Sequence, residues 1–282
     1  MAQFSSDSTT LSEAARFGLD YAREILAGKS ILVLTGAGVS TESGIPDYRG
    51  EGRVERHPMT FDTFMSDDSA RKRYWARSYV GWSVIESAKP NQSHFALAQA
   101  ESHGRLSHII TQNVDSLHHK AGSRKVIELH GRLSQVVCMS CRRVFDRPTM
   151  DQLIEDLNPG IRRDLSVEFT PDGDAEVEAT AGFRVPACTR CQGVLKPDVV
   201  FFGESVPSER VNFAMDTLHQ SSALLVAGSS LAVNSGMRFA KAASKASMPI
   251  VIVNIGPTKA DELAMAKIEA PTSLALEELL ID

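Results

Sequence analysis

The sequence predicts a doubly wound α/β fold that carries a smaller inserted module, and three observations point to it. Short apolar runs recur at Ile31–Leu34, His108–Thr111, Val126–Leu129, Ala223–Ala227 and Ile250–Ile255, each as long as a strand buried on both faces. Segments with helical spacing separate several of these runs, at 11–28, 91–102, 208–220 and 236–246, an alternation that builds parallel sheets. Two stretches break the rhythm: 53–88 is helical and rich in aromatics, and 136–195 holds all four cysteines. The expected division is a sheet domain of 1–52, 89–135 and 196–282, with 53–88 and 136–195 as the helical and metal-binding parts of a small domain.

A chain of 282 residues buries a large core, and 43% hydrophobic with 23% charged residues is ordinary globular composition. The net charge of −5 argues against general nucleic-acid affinity, which needs a basic surface. No apolar run approaches the roughly 18 residues of a membrane span. The first twenty residues lack a cationic start and an apolar signal core, and they carry Asp7, Glu13 and Asp20. A cytoplasmic protein is the expectation.

The first strand opens into Gly36-Ala37-Gly38, a turn whose backbone N–H groups can approach a diphosphate. Thr41 stands where a dinucleotide turn has its third glycine, and no acidic residue follows about 20 positions on at the end of a second strand, which weakens a conventional dehydrogenase reading. "GIPDYRG" then sets Asp47 and Arg49 beside the turn, where an arginine can pair with phosphate. Gln112, Asn113 and Asp115 follow the second strand, where open α/β sheets bind ligands. His130 follows the third strand and precedes a glycine, the placement of a general base as well as of a structural histidine. His94, His118 and His119 read as structural.

Cys138-x-x-Cys141 and Cys188-x-x-Cys191 supply four thiolates suited to one tetrahedral zinc, with a redox pair as the rival reading. The 46 residues between the pairs exceed the usual ribbon spacing. The extra loop costs roughly 0.8 kcal/mol of closure entropy. Zinc on such ligands contributes on the order of 10 kcal/mol, so the length is no obstacle. Four cysteine ligands close the coordination sphere, which makes the metal structural.

In their order, "GAGVS", "GIPDYRG", "TQNVD", "LHG", the two cysteine pairs, "KPDVVFFGE", "GSSLAV" and "VNIGP" resemble the sirtuins over residues 31–258. "YWARSYVGW", "LKPDVVFFGE" and "VNIGPT" are most similar to class II, the group containing human sirtuin four, and the N-terminus suggests a bacterial member. The resemblance implies a Rossmann-like domain with a small zinc-containing module, and NAD consumed in the cleft between them. The acyl group of an acyl-lysine protein or peptide would pass to ADP-ribose, with nicotinamide released. It further implies that Ala37, Gly38, Arg49, Gly228 and Ser229 hold the diphosphate and adjoining ribose, that Asn254 and Ile255 face the adenosine, and that Gly36, Asp47, Tyr48, Ser230 and Gly256 also belong to the NAD site, Asp47 as an acceptor from a carboxamide or ribose hydroxyl. Ile45, Asn113 and Asp115 would line the nicotinamide pocket, Gln112 would meet the nicotinamide ribose, and His130, with Asn113, would be catalytic. Val200 and Phe202 would wall the acyl-lysine channel, and Gly203-Glu204 would pair with the substrate backbone. Tyr74 and Arg77, three apart on a helix, are similar to a Tyr-x-x-Arg that meets acidic acyl groups, with simple packing as the alternative. Segment 146–186 resembles a class II insertion, beginning with a helix over 148–157; its acidic tract reads by default as a disordered solvent-facing loop, with part of it reaching the acyl channel as the sharper alternative. Mono-ADP-ribosylation of protein, and noncatalytic binding of NAD or acyl-ADP-ribose, are the competing readings.

Overall fold

The computed structural model describes residues 10–47, 58–161 and 182–281. Tyr48, Arg49 and the acidic tract 170–180 lie outside the described residues. A six-stranded parallel sheet runs in the order β3-β2-β1-β7-β8-β9. Its strands are β1 (Ile31–Thr35), β2 (Leu106–Thr111), β3 (Val126–Glu128), β7 (Ala223–Ala227), β8 (Ile250–Val253) and β9 (Ala266–Ile268). β1 is central and buried throughout. The period of two sends Ile31 and Val33 into one core and Leu32 and Leu34 into the other. The first core is closed by α1 (Glu13–Leu26), α4 (Gln92–Ser102) and α9 (Thr272–Leu280); the second by α7 (Ser208–His219) and α8 (Asn234–Lys245).

Local sequence explains the helix starts. Ser12 caps α1 by accepting from the Ala15 N–H, and Asn91 with His94 forms a capping box on α4. His94 thus has the structural role expected of it. His118 bonds Thr35 in the core, and His119 pairs with Glu128, which holds its pKa above the ordinary histidine value. β9 and α9, which the sequence reading did not single out, complete the sheet edge and one helical layer.

The second unit is a three-stranded antiparallel sheet, β5-β4-β6, made of β4 (Gly131–Cys138), β5 (Val144–Asp146) and β6 (Leu195–Val199). α2 (Phe61–Ser66), α3 (Asp68–Ser87), α5 (Leu117–Lys120) and α6 (Arg147–Leu157) complete the helix set, and α2, α3 and α6 share a core with this small sheet. The expected helix over 148–157 is α6, ended by Asn158, whose amide donates to the Ile154 and Arg184 carbonyls.

Arg147 is the largest commitment in this core. It is 0% exposed, donates from Nε to Asp151 and from its other nitrogens to Ser78, and lies over the Trp75 and Trp82 rings. Removing one partner of a buried ion pair strands the other. Arg147→Met is therefore expected to destabilise the chain by about 3–5 kcal/mol, read as a lowered melting temperature. A variant melting with the parent would contradict this.

Candidate active site

The chain winds from β1 to β2 and β3 on one side and returns to β7, β8 and β9 on the other, so the switch point lies between β1 and β7. Their loops interlock. Gly36 donates to the Ala227 carbonyl at 3.2 Å and Gly38 to the Gly228 carbonyl at 2.8 Å. A Cβ on Gly38 would stand 2.9 Å from Gly228 Cα, and one on Gly228 would stand 2.5 Å from the Val39 nitrogen. The glycines permit this backbone crossing, a requirement separate from any ligand.

Above the crossing, a cleft of about 1800 Å³ opens between the carboxyl ends of the parallel strands and the small sheet. Gly36, Ala37, Gly38, Ile45 and Asp47 line it after β1. Gln112, Asn113 and Asp115 line it after β2, Gly228, Ser229 and Ser230 after β7, and Asn254, Ile255 and Gly256 after β8. Gln112 spans the crossing by donating to Ser229 Oγ at 2.8 Å.

Ser40, which the sequence reading did not separate from its motif, organises one wall. Its hydroxyl donates to Asp115 Oδ2 at 2.8 Å and accepts from Asn113 Nδ2 at 3.0 Å. Asp115 Oδ1 accepts from the Leu117 N–H. Burial pushes the Asp115 pKa up, opposed by the bonds from Leu117 and Ser40.

His130 sits where the chain passes from the large sheet to the small one. Gly131 has φ 83°, and a Cβ there would overlap the Asp198 carbonyl oxygen, so the turn after the histidine requires glycine. His130 Nδ1 lies 2.9 Å from the Gln112 carbonyl oxygen. A carbonyl only accepts, so Nδ1 carries the proton and Nε2 is the basic atom. Nε2 faces Ser235 Oγ at 2.8 Å. Burial lowers the ring pKa below the ordinary histidine value, with the Gln112 carbonyl opposing and Arg210 assisting. The ring is thus a neutral imidazole on the cleft wall, suited to accept a proton.

Val200, Phe202, Gly203 and Glu204 line the cleft beside His130. The Val200 N–H donates to the His130 carbonyl at 2.8 Å, and Phe202 is 41% exposed. Glu204 is largely used within its own loop: its N–H donates to the Phe201 carbonyl, and its carboxylate accepts from the Phe201 N–H and pairs with buried Lys196 at 3.1 Å. Tyr74 lies elsewhere. It is 2% exposed, edge-on to Phe64, Trp75 and Phe201, and neither it nor Arg77 is among the cleft-lining residues.

Cys138, Cys141, Cys188 and Cys191 converge with all four sulfurs within 4.8 Å of one another. Cys138 and Cys191 are 3.5 Å apart, Cys141 and Cys188 3.7 Å. Tetrahedral zinc with Zn–S of about 2.3 Å needs sulfur separations of about 3.8 Å, so the set fits one zinc ion.

The comparisons agree with this architecture. The description "Sir2 family" covers a sequence profile that matches residues 36–235. The chain belongs to the Sir2 family. Two bacterial sirtuin relatives illustrate the likeness. "NAD-dependent protein deacetylase 1" of Streptomyces coelicolor is 48% identical over 257 residues, 90% of this chain and 86% of that protein. "NAD-dependent protein deacetylase" of Xanthomonas campestris pv. campestris strain 8004 is 52% identical over 250 residues, 87% of this chain and 85% of that protein. A solved structure described as "Sir2-p53 peptide-NAD+" is 30% identical with a TM-score of 0.73, over 91% of this chain and 94% of that one. The Sir2 match begins at Gly36 and ends at Ser235, so it runs from the crossing glycines to the serine facing the His130 ring.

Proposed function

We propose that this sirtuin is an NAD-dependent protein-lysine deacylase that transfers the acyl group to ADP-ribose and releases nicotinamide. The observation that carries it is His130, a neutral imidazole with Nε2 on a cleft that Val200 and Phe202 also line. The relatives' common name, NAD-dependent protein deacetylase, supports it.

NAD, consumed as a co-substrate, supplies an electrophilic sugar carbon when its bond to nicotinamide breaks. The chain's residues hold and time that chemistry. The backbone of Gly36–Gly38 with Gly228–Ser230 would seat the diphosphate, and Asn254–Gly256 the adenosine end. Ile45, Asn113 and Asp115 would enclose nicotinamide, with Ser40 fixing both polar side chains. The apolar channel of Val200 and Phe202 would keep water from the sugar centre. His130 Nε2 would take the proton from a ribose hydroxyl, becoming imidazolium with Nδ1–H still on the Gln112 carbonyl. The freed oxygen pair would bond to the acyl carbon as its bond to the lysine nitrogen breaks, and the departing lysine amine would carry away the proton from the imidazolium. The four cysteines would hold one structural zinc that orders the small sheet.

We further read the chain as class II, bacterial and cytoplasmic, acting on acyl-lysine proteins, with the small domain formed by 53–88 and 136–195. Among the described residues no helix is long and apolar enough to cross a membrane.

Mass spectrometry of products from NAD and acetyl-, succinyl-, glutaryl- and lipoyl-lysine peptides tests the reading. Acyl-ADP-ribose and nicotinamide are expected; ADP-ribosylated protein without acyl transfer would overturn it. The same panel tests an acidic-acyl preference. Because Tyr74 is packed in the aromatic cluster, Arg77→Met is expected to act equally on all four peptides. A selective loss of succinyl and glutaryl turnover would establish the Tyr-x-x-Arg role instead.

A further inference from the structure

The His130 ring is held at both nitrogens, and the two holds differ in kind. Nδ1 donates to a main-chain carbonyl, a fixed point at the end of β2. Nε2 faces a side-chain hydroxyl on the second residue of α8, and that residue lines the cleft. α8 comes this close because Gly236, the next residue, packs against Gln112, where a Cβ would stand 2.5 Å from Oε1. A serine hydroxyl donates to a neutral ring nitrogen, and it swings away by a single χ1 rotation.

From this, and resting on the deacylase reading, we propose that Ser235 is a positioning residue for the base. Its hydroxyl occupies the place on His130 Nε2 that the substrate hydroxyl takes, and keeps the ring aimed into the cleft until then. An imidazole tethered at Nδ1 alone is free to tilt about that bond, with Nε2 open to water. The serine supplies the second point that fixes the ring plane.

The charged groups around the ring do not do this. Arg210 on α7 donates to the Leu129 carbonyl, and Glu128 pairs with Arg132 and His119. Glu204 pairs with Lys196, Asp115 bonds Ser40 and Leu117, and Arg238 lines the cleft one turn along α8. The ring's orientation rests on one carbonyl and one hydroxyl.

The test compares Ser235→Ala and Ser235→Thr with the parent on an acetyl-lysine peptide and NAD. Two rates are read across pH: formation of acetyl-ADP-ribose, and exchange of labelled nicotinamide into NAD, which precedes the need for a base. For Ser235→Ala, the ratio of product formation to exchange is expected to fall about five-fold, the weight of one hydrogen bond. A hydroxyl donating to Nε2 favours the neutral ring, so its loss moves the acid limb of kcat/KM to higher pH. Ser235→Thr, which keeps the hydroxyl, is expected to restore both readouts. An unchanged ratio and pH profile in Ser235→Ala would overturn the proposal. So would a proportional fall in both rates, which marks a merely structural residue. A parent chain that cleaves no NAD would overturn the deacylase reading, and this proposal with it.

Discussion

His130→Ala is expected to lower acyl-ADP-ribose formation by about 100- to 10,000-fold, the usual share of a positioned general base. Among the described residues His130 is the one histidine on the cleft wall, and its Nε2 is the basic atom. The fold should tolerate the change, because the ring is held by one carbonyl and one hydroxyl that both border the cleft, and water can satisfy both. A melting temperature close to the parent's is the control. The parent's pH profile gives an independent check. Burial lowers the ring's pKa, so the active neutral form persists below the ordinary histidine value of 6.5. The acid limb of kcat/KM is therefore expected below 6.5, with activity lost as pH falls further. Retained turnover in His130→Ala would remove the residue from the mechanism.

The second large effect belongs to the metal. Cys188→Ser, or exhaustive chelation, is expected to remove a contribution on the order of 10 kcal/mol from the small sheet. Elemental analysis should find one zinc per parent chain and none after either treatment, with a strongly lowered melting temperature. Two knuckles bring the sulfurs together: the Arg142 N–H donates to the Cys138 carbonyl and the Gln192 N–H to the Cys188 carbonyl, each closing a tight turn. Without the metal, four sulfurs within 4.8 Å have no cation to join them. A metal-free chain melting with the parent would overturn the assignment.

The parts that were legible in the sequence are those whose physics is local. Buried parallel strands such as Leu224–Val226 announce themselves as unbroken apolar runs, and paired cysteines as paired ligands. β9 was not legible, because Ala-Lys-Ile is three residues long and its burial comes from neighbours, not from pattern. Ser40 and Ser235 were missed for a related reason. Serines are common, and these acquire meaning from partners 75 and 105 positions away. The glycine turn was recognised, but only half of its cause was: the sequence suggests room for a phosphate, whereas the fold shows two loops that must also pass through each other. Tyr74 packs in an aromatic core against Phe201, and the acyl-peptide panel with Arg77→Met decides whether the Tyr-x-x-Arg spacing also meets acidic acyl groups.

β4 begins at Gly131, the residue after the base, and ends at Cys138, a zinc ligand. At about 3.3 Å per residue its seven steps span at most roughly 23 Å, since the strand is irregular between Gly131 and Val136. What would cross the distance is stiffness: an ion would anchor one strand at its far end, and its near end carries the imidazole proposed as proton acceptor. A zinc site there would be a foundation in the mechanical sense, setting where the proposed base stands.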